Sequence, residues 1–344
     1  MEYRFDWIPQ ENIEEIKNKW KTLEVGSDMT YFQCYSWYEM LISFTPTNSI
    51  AVDCGYALVS DACGRPLVIA PLWIIKFNFL YVNKKGVYFI GRKGCTDYLN
   101  FIYDKFDDKA IDFLLSEISK KYKLNRFVFE DVLETTEFSK YLVEKRQIKP
   151  FTSEPCGCLN LGDSYENYLQ SLSKNTRQNI RTAYNRLTKD NVTYKVVLND
   201  VNADLCRCDE VRNARLAKKK SYNASLLIKL KTAIYGFLDI KFPECIQHNA
   251  DPNKHILSVY CDNKICMFFC YGIDKINKTV VLMTAGVDEA YKRYSLGMVG
   301  LTEFIHHLID NTEIKKLDFL RGGEFYKYAI GAQDRNIYSF EFLL

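Results

Sequence analysis

Two stretches of this chain fold apolar runs back around a short polar turn, and each is followed by the same series of elements. That repetition of order restricts the fold more than any single motif. GYALVSDACGRPLVIAPLWIIKF (55–77) reads as two strands around a turn at Asp61 to Arg65, with the polar residues at the tip. GVYFIG (86–91) is a further strand, a helix follows with Ile111, Leu114, Leu115 and Ile118 on one face, and RFVFE (126–130) completes the set. HILSVYCDNKICMFFCYGI (255–273) repeats the hairpin with its turn at Asp262 to Lys264. Strand TVVLMTAGV, helix LGMVGLTEFIHHLID with Leu301, Phe304, Ile305 and Leu308 inward, and strand KKLDFL come next. Each half therefore carries hairpin, strand, helix, strand. This is an α/β (α+β, mixed-sheet) layout, because the hairpin brings antiparallel strands into the sheet that the helix crosses.

At 344 residues the chain is long enough for two domains. Prolines and small residues in KPFTSEPCGC (149–158) mark the boundary, giving domains 1–150 and 158–344. Helices are expected over Ile13 to Leu23, from near Ser36, around Tyr165 to Leu172, and over Ala203 to Lys219 and Ala224 to Leu238. In KNTRQNIRTAYNRLTK (174–189), Lys174, Arg177 and Arg181 share one helical face, while Ile180, Tyr184 and Leu187 make an apolar one. VTYKVVL (192–198) reads as a strand, and after a short GGEFYKYAI segment IYSFEFL closes the second half as a last strand.

A net charge of +3 makes no whole-chain demand for DNA or an anionic membrane. The N-terminus MEYRFDWIPQ lacks the apolar core of a secretory signal. PLVIAPLWII (66–75) is broken by two prolines and falls short of the roughly 20 residues that a spanning helix needs. No transmembrane segment is expected, and the chain reads as soluble and cytoplasmic. None of the 12 cysteines shows the CxxC spacing of a structural zinc site, and Cys261, Cys266 and Cys270 alternate with apolar residues as buried strand positions do. Reduced thiols packed in the core, and no metal, are the expectation.

Three places carry a family resemblance: LSKNTRQNIRTAYNRL (172–187), YKRYSLGMVGL (291–301) and DFLRGGEFYK (318–327). In this order and separation they resemble the GNAT acyltransferase superfamily, in its BioF2-like, cellulose-biosynthesis-protein-like branch, distantly related to the Fem peptidyltransferases. The resemblance is clear from Cys158 to Leu344. Before it, the tandem layout resembles the degenerate first copy of Fem-like proteins, which implies two GNAT-like domains with the first as a scaffold. The usual donor signature is Arg or Gln, two residues, Gly, one residue, Gly or Ala. Here Arg293 is followed by Tyr294, Ser295, Leu296 and Gly297, with Gly300 three residues on, and Ser295 to Gly297 is Ser-Leu-Gly where the branch often has Ser-Pro-Gly.

The resemblance implies an N-acyltransferase using acetyl-CoA or another acyl-CoA, with an amine acceptor such as an amino sugar or amino acid of cell-surface polysaccharide metabolism. Lys292, Arg293, Ser295, Gly297 and Gly300 are the donor-binding candidates, since a glycine-containing loop before a helix offers backbone N–H groups to phosphate. Asp318, Glu324, Tyr326 and Lys327 are the catalytic candidates, crowded around the Gly322–Gly323 turn at a strand end. Tyr326 can protonate a leaving thiolate or bind the acceptor, Asp318 or Glu324 can receive the amine proton, and Lys327 or Arg321 can neutralise an acidic group. Arg177, Arg181 and Arg321 are the substrate-binding candidates. Two other readings stand beside this one: a Fem-like transferase that takes its donor from aminoacyl-tRNA, and a non-enzymatic binding domain.

Overall fold

The structure, a computed structural model, describes residues 2–42, 52–76, 78–79, 82–83, 85–91, 96–220 and 253–344. The expected helix from Ala224 to Leu238 lies outside them. The chain divides into two units, the first taking Met1–Pro155 and Arg335–Leu344, the second the described residues 156–220 and 253–334.

In the first unit, strands β1 (Tyr3–Pro9), β2 (Val52–Asp61), β3 (Pro66–Ile75), β4 (Gly86–Phe89) and β5 (Arg126–Leu133) lie side by side in chain order. Neighbours pair antiparallel until β4 and β5, which run parallel because a helix crosses over between them. The longer α-helices are α1 (Lys17–Leu23), α2 (Tyr35–Ile42) and the crossover α3 (Asp108–Tyr122). Asp107 caps α3 by accepting from the N–H groups of Lys109 and Ala110, and Ile111, Leu114, Leu115 and Ile118 are buried as their spacing predicts. The helix expected over Ile13 to Leu23 divides into a 3-10 segment, Gln10–Ile16, with a kink at Asn12, and α1.

The second unit contains β6 (Thr152–Asn160) from Cys156 onward, α4 (Tyr165–Ser171), α5 (Lys174–Lys189), β7 (Tyr194–Val197), α6 (Leu205–Lys220), β8 (Lys254–Cys261), β9 (Lys264–Asp274), β10 (Thr279–Val287), α7 (Leu296–Asn311), β11 (Lys316–Arg321) and α8 (Phe325–Ala329). Its strands are ordered β6-β11-β10-β9-β8-β7, and β10 and β11 are the parallel pair, joined by α7. The two units thus share one connection order. Leu257, Val259, Met267 and Phe269 pack against Leu296, Val299, Phe304 and Ile305 of α7 in a single core cluster.

The boundary segment 149–158 is largely strand, its residues from Thr152 belonging to β6. Gly157 is small for a packing reason: a Cβ there would sit 3.2 Å from Cδ of Lys327.

The final strand β12 (Gln333–Leu343) departs from the expected domain 158–344. It pairs antiparallel with β5, Ile337 opposite Leu133, Phe340 opposite Phe129 and Phe342 opposite Phe127, and so completes the first unit's sheet. Phe340 is fully buried and Phe342 stacks on Phe127 at 5.6 Å, so burial of these rings draws the strand there. All four tryptophans, Trp7, Trp20, Trp37 and Trp73, also lie in the first unit. Phe340→Ala should therefore lower the stability reported by tryptophan fluorescence in denaturant by about 3–5 kcal/mol. An unmoved fluorescence midpoint would return the strand to the second unit.

Candidate functional site

The parallel ladder between β10 and β11 is short. Thr279, Val280 and Val281 pair with Lys316, Leu317 and Asp318, and there the pairing stops. On β11, the N–H of Leu320 donates to Asp318 Oδ1 at 2.9 Å, Leu320 takes a left-handed φ of 55° and Gly322 one of 109°. On β10, the register against β9 shifts between Thr284 and Leu282, a bulge at Met283. The strands separate, and a cavity of about 220 Å³ opens between residues 282–285 and the pair Phe319 and Arg321. Glu324, Tyr326 and Lys327 line it from the segment after β11, and Arg212 from α6.

Lys327 holds this turn in place. Its Nζ is buried and donates to the carbonyls of Leu320, Arg321 and Gly322 at 3.3, 2.9 and 2.8 Å, and it pairs with Glu324 Oε2 at 2.9 Å. Gly322 is favoured by its left-handed φ of 109°, which L side chains rarely adopt. Of the four catalytic candidates, then, Asp318 and Lys327 bond to backbone and fix its path, whereas Tyr326 is 42% exposed at the cavity wall and Glu324 stands beside it.

A second cavity, about 380 Å³, lies along the same strand. Ala285 and Val287 of β10 form one wall, Ser295, Gly297 and Met298 at the start of α7 another, and Lys292 and Tyr326 line it too. The helix begins at Leu296, as expected, where Ser295 takes a left-handed φ of 53° and turns the chain directly into it. The first N–H groups of α7 have no partner within the helix, and its dipole places positive charge at this end.

The other donor candidates divide. Arg293 bonds Asp190 at the end of α5, lies over the Tyr294 ring at 5.0 Å, and accepts through its carbonyl from Arg186 at 2.9 Å; it does not line the cavity. Gly300 faces the sheet, where a Cβ would meet Met267 at 2.9 Å and Val259 at 3.1 Å, so it serves helix–sheet packing. Gly297 would place a Cβ 3.5 Å from Val287, an ordinary contact.

A third cavity, about 450 Å³, is bordered by Ser173, Thr176 and Asn179 of the α5 region together with Met298, Tyr326 and Tyr328. Tyr326 therefore touches all three cavities. On α5, Arg177 donates to the carbonyl of Gln170 at 2.9 Å and to that of Leu172, closing the end of α4, and Arg181 is exposed and lines none of these cavities.

Sequence reading missed Arg212. The available signal was Gly286, a glycine inside a strand, which marks close backbone approach. A Cβ there would lie 2.5 Å from the Phe268 ring and 3.1 Å from the Arg212 backbone nitrogen, so the glycine lets α6 settle onto β10. Burial pushes the Cys208 and Cys261 thiols up to about 12, leaving them protonated core residues. Among the described residues, no three His, Cys, Asp or Glu side chains cluster as metal ligands would, and no helix is long and apolar enough to cross a membrane.

Residues 260–328, the segment that builds both the splayed strands and the α7 turn, match the family model for the acetyltransferase (GNAT) domain. The chain is a distant GNAT relative. The GNAT-like fold extends over its whole length. FemX superposes on 100% of this chain and 98% of its own with a TM-score of 0.63 at 10% identity. The C-terminal DUF2156 domain of a putative lysylphosphatidylglycerol synthetase from Agrobacterium fabrum covers 96% of this chain and 92% of its own, with a TM-score of 0.54 at 10% identity. A tandem GNAT protein from the clavulanic acid biosynthesis pathway covers 99% and 98%, with a TM-score of 0.51 at 10% identity. At such identities the likeness is one of fold: mixed sheets flanked by helices, in tandem. No curated protein matches the sequence.

Lys327→Met should cost on the order of 3 kcal/mol, because it leaves three carbonyls and a carboxylate without their cation in a mostly dry site. Chemical denaturation monitored by far-UV circular dichroism measures this. Stability within about 0.5 kcal/mol of the parent would show that the ammonium does not hold the turn.

Proposed function

We propose that this GNAT relative is an N-acyltransferase that moves an acyl group, acetyl first among candidates, from acyl-CoA to an amine. The observation that carries this reading is the continuous lining around Tyr326: the cavity at the start of α7 and the cavity between the splayed strands share Phe269, Ala285 and Tyr326. A donor and an acceptor can meet there from two sides.

Each part of the donor has a chemical counterpart. Beyond Val281, β10 has no ladder with β11, so an extended chain bearing amides, such as the pantetheine arm, can bond that edge as an added strand would. The helix end, Ser295 and Lys292 suit the phosphates. The amine nitrogen attacks the thioester carbonyl and forms the C–N bond. The resulting oxyanion needs N–H donors already in place, for which the β10 edge is the nearest source. Glu324 takes the amine proton, directly or through water, the C–S bond breaks, and Tyr326 gives its proton to the departing sulfur. The products are an amide and a thiol.

The first unit is read as a scaffold. Its parallel ladder, Val87 and Tyr88 with Phe127 and Val128, is also short, but Phe89 and Phe129 stack at its end at 4.3 Å, with Phe101 and Phe138 packed on them. The acceptor is an amino acid or amino sugar; cell-surface polysaccharide metabolism rests on the family resemblance alone.

A second reading, an aminoacyl-tRNA donor, is favoured by the full-length likeness to FemX and by the exposed Lys174 and Arg181 on α5. It requires strong binding to tRNA that weakens steeply with salt.

Calorimetric titration with acetyl-CoA should give a dissociation constant in the micromolar range. Lys292→Glu should weaken it by about tenfold or more, while Arg293→Ala, which removes the bond to Asp190, should leave it within about threefold. Tyr326→Phe should preserve donor affinity and lower kcat by about a hundredfold. A folded sample that ignores acyl-CoA but binds tRNA in a salt-sensitive way would replace the first reading with the second.

A further inference from the structure

We infer that the acceptor is an amino sugar and not an amino acid, and that the third cavity holds its uncharged ring against Phe325 and the amides of Asn175 and Asn179; the inference rests on the N-acyltransferase reading.

The polar lining gives the first argument. Among the described residues that border this cavity, none bears a carboxylate, an ammonium or a guanidinium group. A free amino acid brings a carboxylate that would lose water there with no cation in the lining to replace it. A sugar ring brings hydroxyl groups, which both donate and accept. The amides of Asn175 and Asn179 do the same, and at a spacing of four residues they share one exposed face of α5. That face is fixed at its start, where Ser173 Oγ accepts the N–H of Thr176 at 3.1 Å and bonds its hydroxyl at 2.9 Å.

Aromatic surface gives the second. Phe325 is 81% exposed and Tyr326 42%, and both line the cavity together with Tyr328. A ring as open as Phe325 adds little burial to the fold, so its surface is available to a ligand. The C–H face of a sugar ring packs on an aromatic face, whose π-electrons attract its partly positive hydrogens. Rings for the C–H side and amides for the hydroxyls are what such an amphipathic ring needs.

Size and position give the third. At about 450 Å³ the cavity is within the roughly 300–1,000 Å³ of small-molecule sites, whereas the 220 Å³ between the splayed strands is below that range. Tyr326 lines both, and Glu324 lines the smaller one. A sugar seated in the larger cavity can thus pass its amine by Tyr326 to Glu324 and the thioester.

The test uses the full chain and no donor. N-acetylated glucosamine, galactosamine and mannosamine, the products of such a reaction, are titrated beside N-acetylglycine and N-acetylglutamate by saturation-transfer NMR. At least one sugar should bind about tenfold or more tightly than either amino acid. Phe325→Ala and Asn179→Leu should each weaken that sugar by about tenfold or more and leave the acetyl-CoA dissociation constant within about threefold, since neither residue lines the donor cavity. Both side chains are exposed, so the variants keep the fold. Binding of no sugar overturns the inference, as does amino-acid binding that equals or exceeds every sugar, or a sugar affinity that survives both substitutions. So does an RNA oligonucleotide ending in CCA whose binding falls in these variants in place of the sugars', which assigns the cavity to the aminoacyl-tRNA reading. Absence of acetyl-CoA binding to the wild type removes the donor reading, while the variant comparison still decides whether the cavity takes a sugar.

Discussion

The early end of the β10–β11 ladder is the constraint on which the second unit's chemistry depends. Two parallel strands normally satisfy each other's backbone groups along their length, and a ladder cut at Val281 and Asp318 obliges both to find other partners. On the β11 side the solution is internal. Asp318 accepts the Leu320 N–H, and Lys327 reaches three consecutive carbonyls. Burying an ammonium costs several kcal/mol by itself, so it persists here because the carbonyls and Glu324 replace its water. On the β10 side a bulge at Met283 turns the strand, and its edge faces a cavity. The opening between the strands is therefore a built feature, held by buried polar contacts.

The first unit shows the same connection order put to a different use. There the place corresponding to the cavity is taken by aromatic rings, with Phe101 and Phe138 4.7 Å apart beside the stacked Phe89 and Phe129. An apolar filling contributes several kcal/mol of burial but offers neither charge nor hydrogen-bond donors to a ligand. Identical topology thus supports stability in one sheet and an accessible site in the other, and the difference lies in a handful of side chains at the ladder's end.

Much of this was legible in the sequence, for reasons that also explain the omissions. Hairpins and crossover helices follow from apolar periodicity, so Asp61 to Arg65 and Asp262 to Lys264 appear as turns and α3 shows its buried face. Partner choice does not follow from periodicity: the alternation in IYSFEFL would suit any neighbour, and only the rings of Phe127 and Phe129 identify β5 as its partner. At the site, the density of polar residues after a glycine pair pointed to Glu324 and Tyr326. The backbone contacts of Lys327 and Asp318 were not legible there, because burial, which makes one a clamp and the other a backbone acceptor, is not written in residue type. Lys292 and Arg293 are neighbours in sequence, yet a bond to Asp190 draws one away while the other borders the cavity. Arg212 lay far along the chain and was signalled only through Gly286.

Helix α8 joins these two kinds of residue. It is five residues long, too short to persist on its own propensity, and in one turn it presents Phe325 at 81% exposure, Tyr326 at 42% and Lys327 at 2%. Its geometry therefore comes from tertiary contacts, those of Lys327 and the Phe319 ring edge-on to Tyr326 at 6.2 Å among them, and the position of the Tyr326 hydroxyl follows from these. A substitution that loosens the clamp displaces the phenol from the junction of three cavities even though it touches no ligand. Displacements of about 1 Å at a reacting group can cost a hundredfold in rate. Stability and turnover should then fall together for changes at Lys327 and separately for changes at Tyr326, which is the pattern expected when one buried charge positions the residue proposed to meet the substrate.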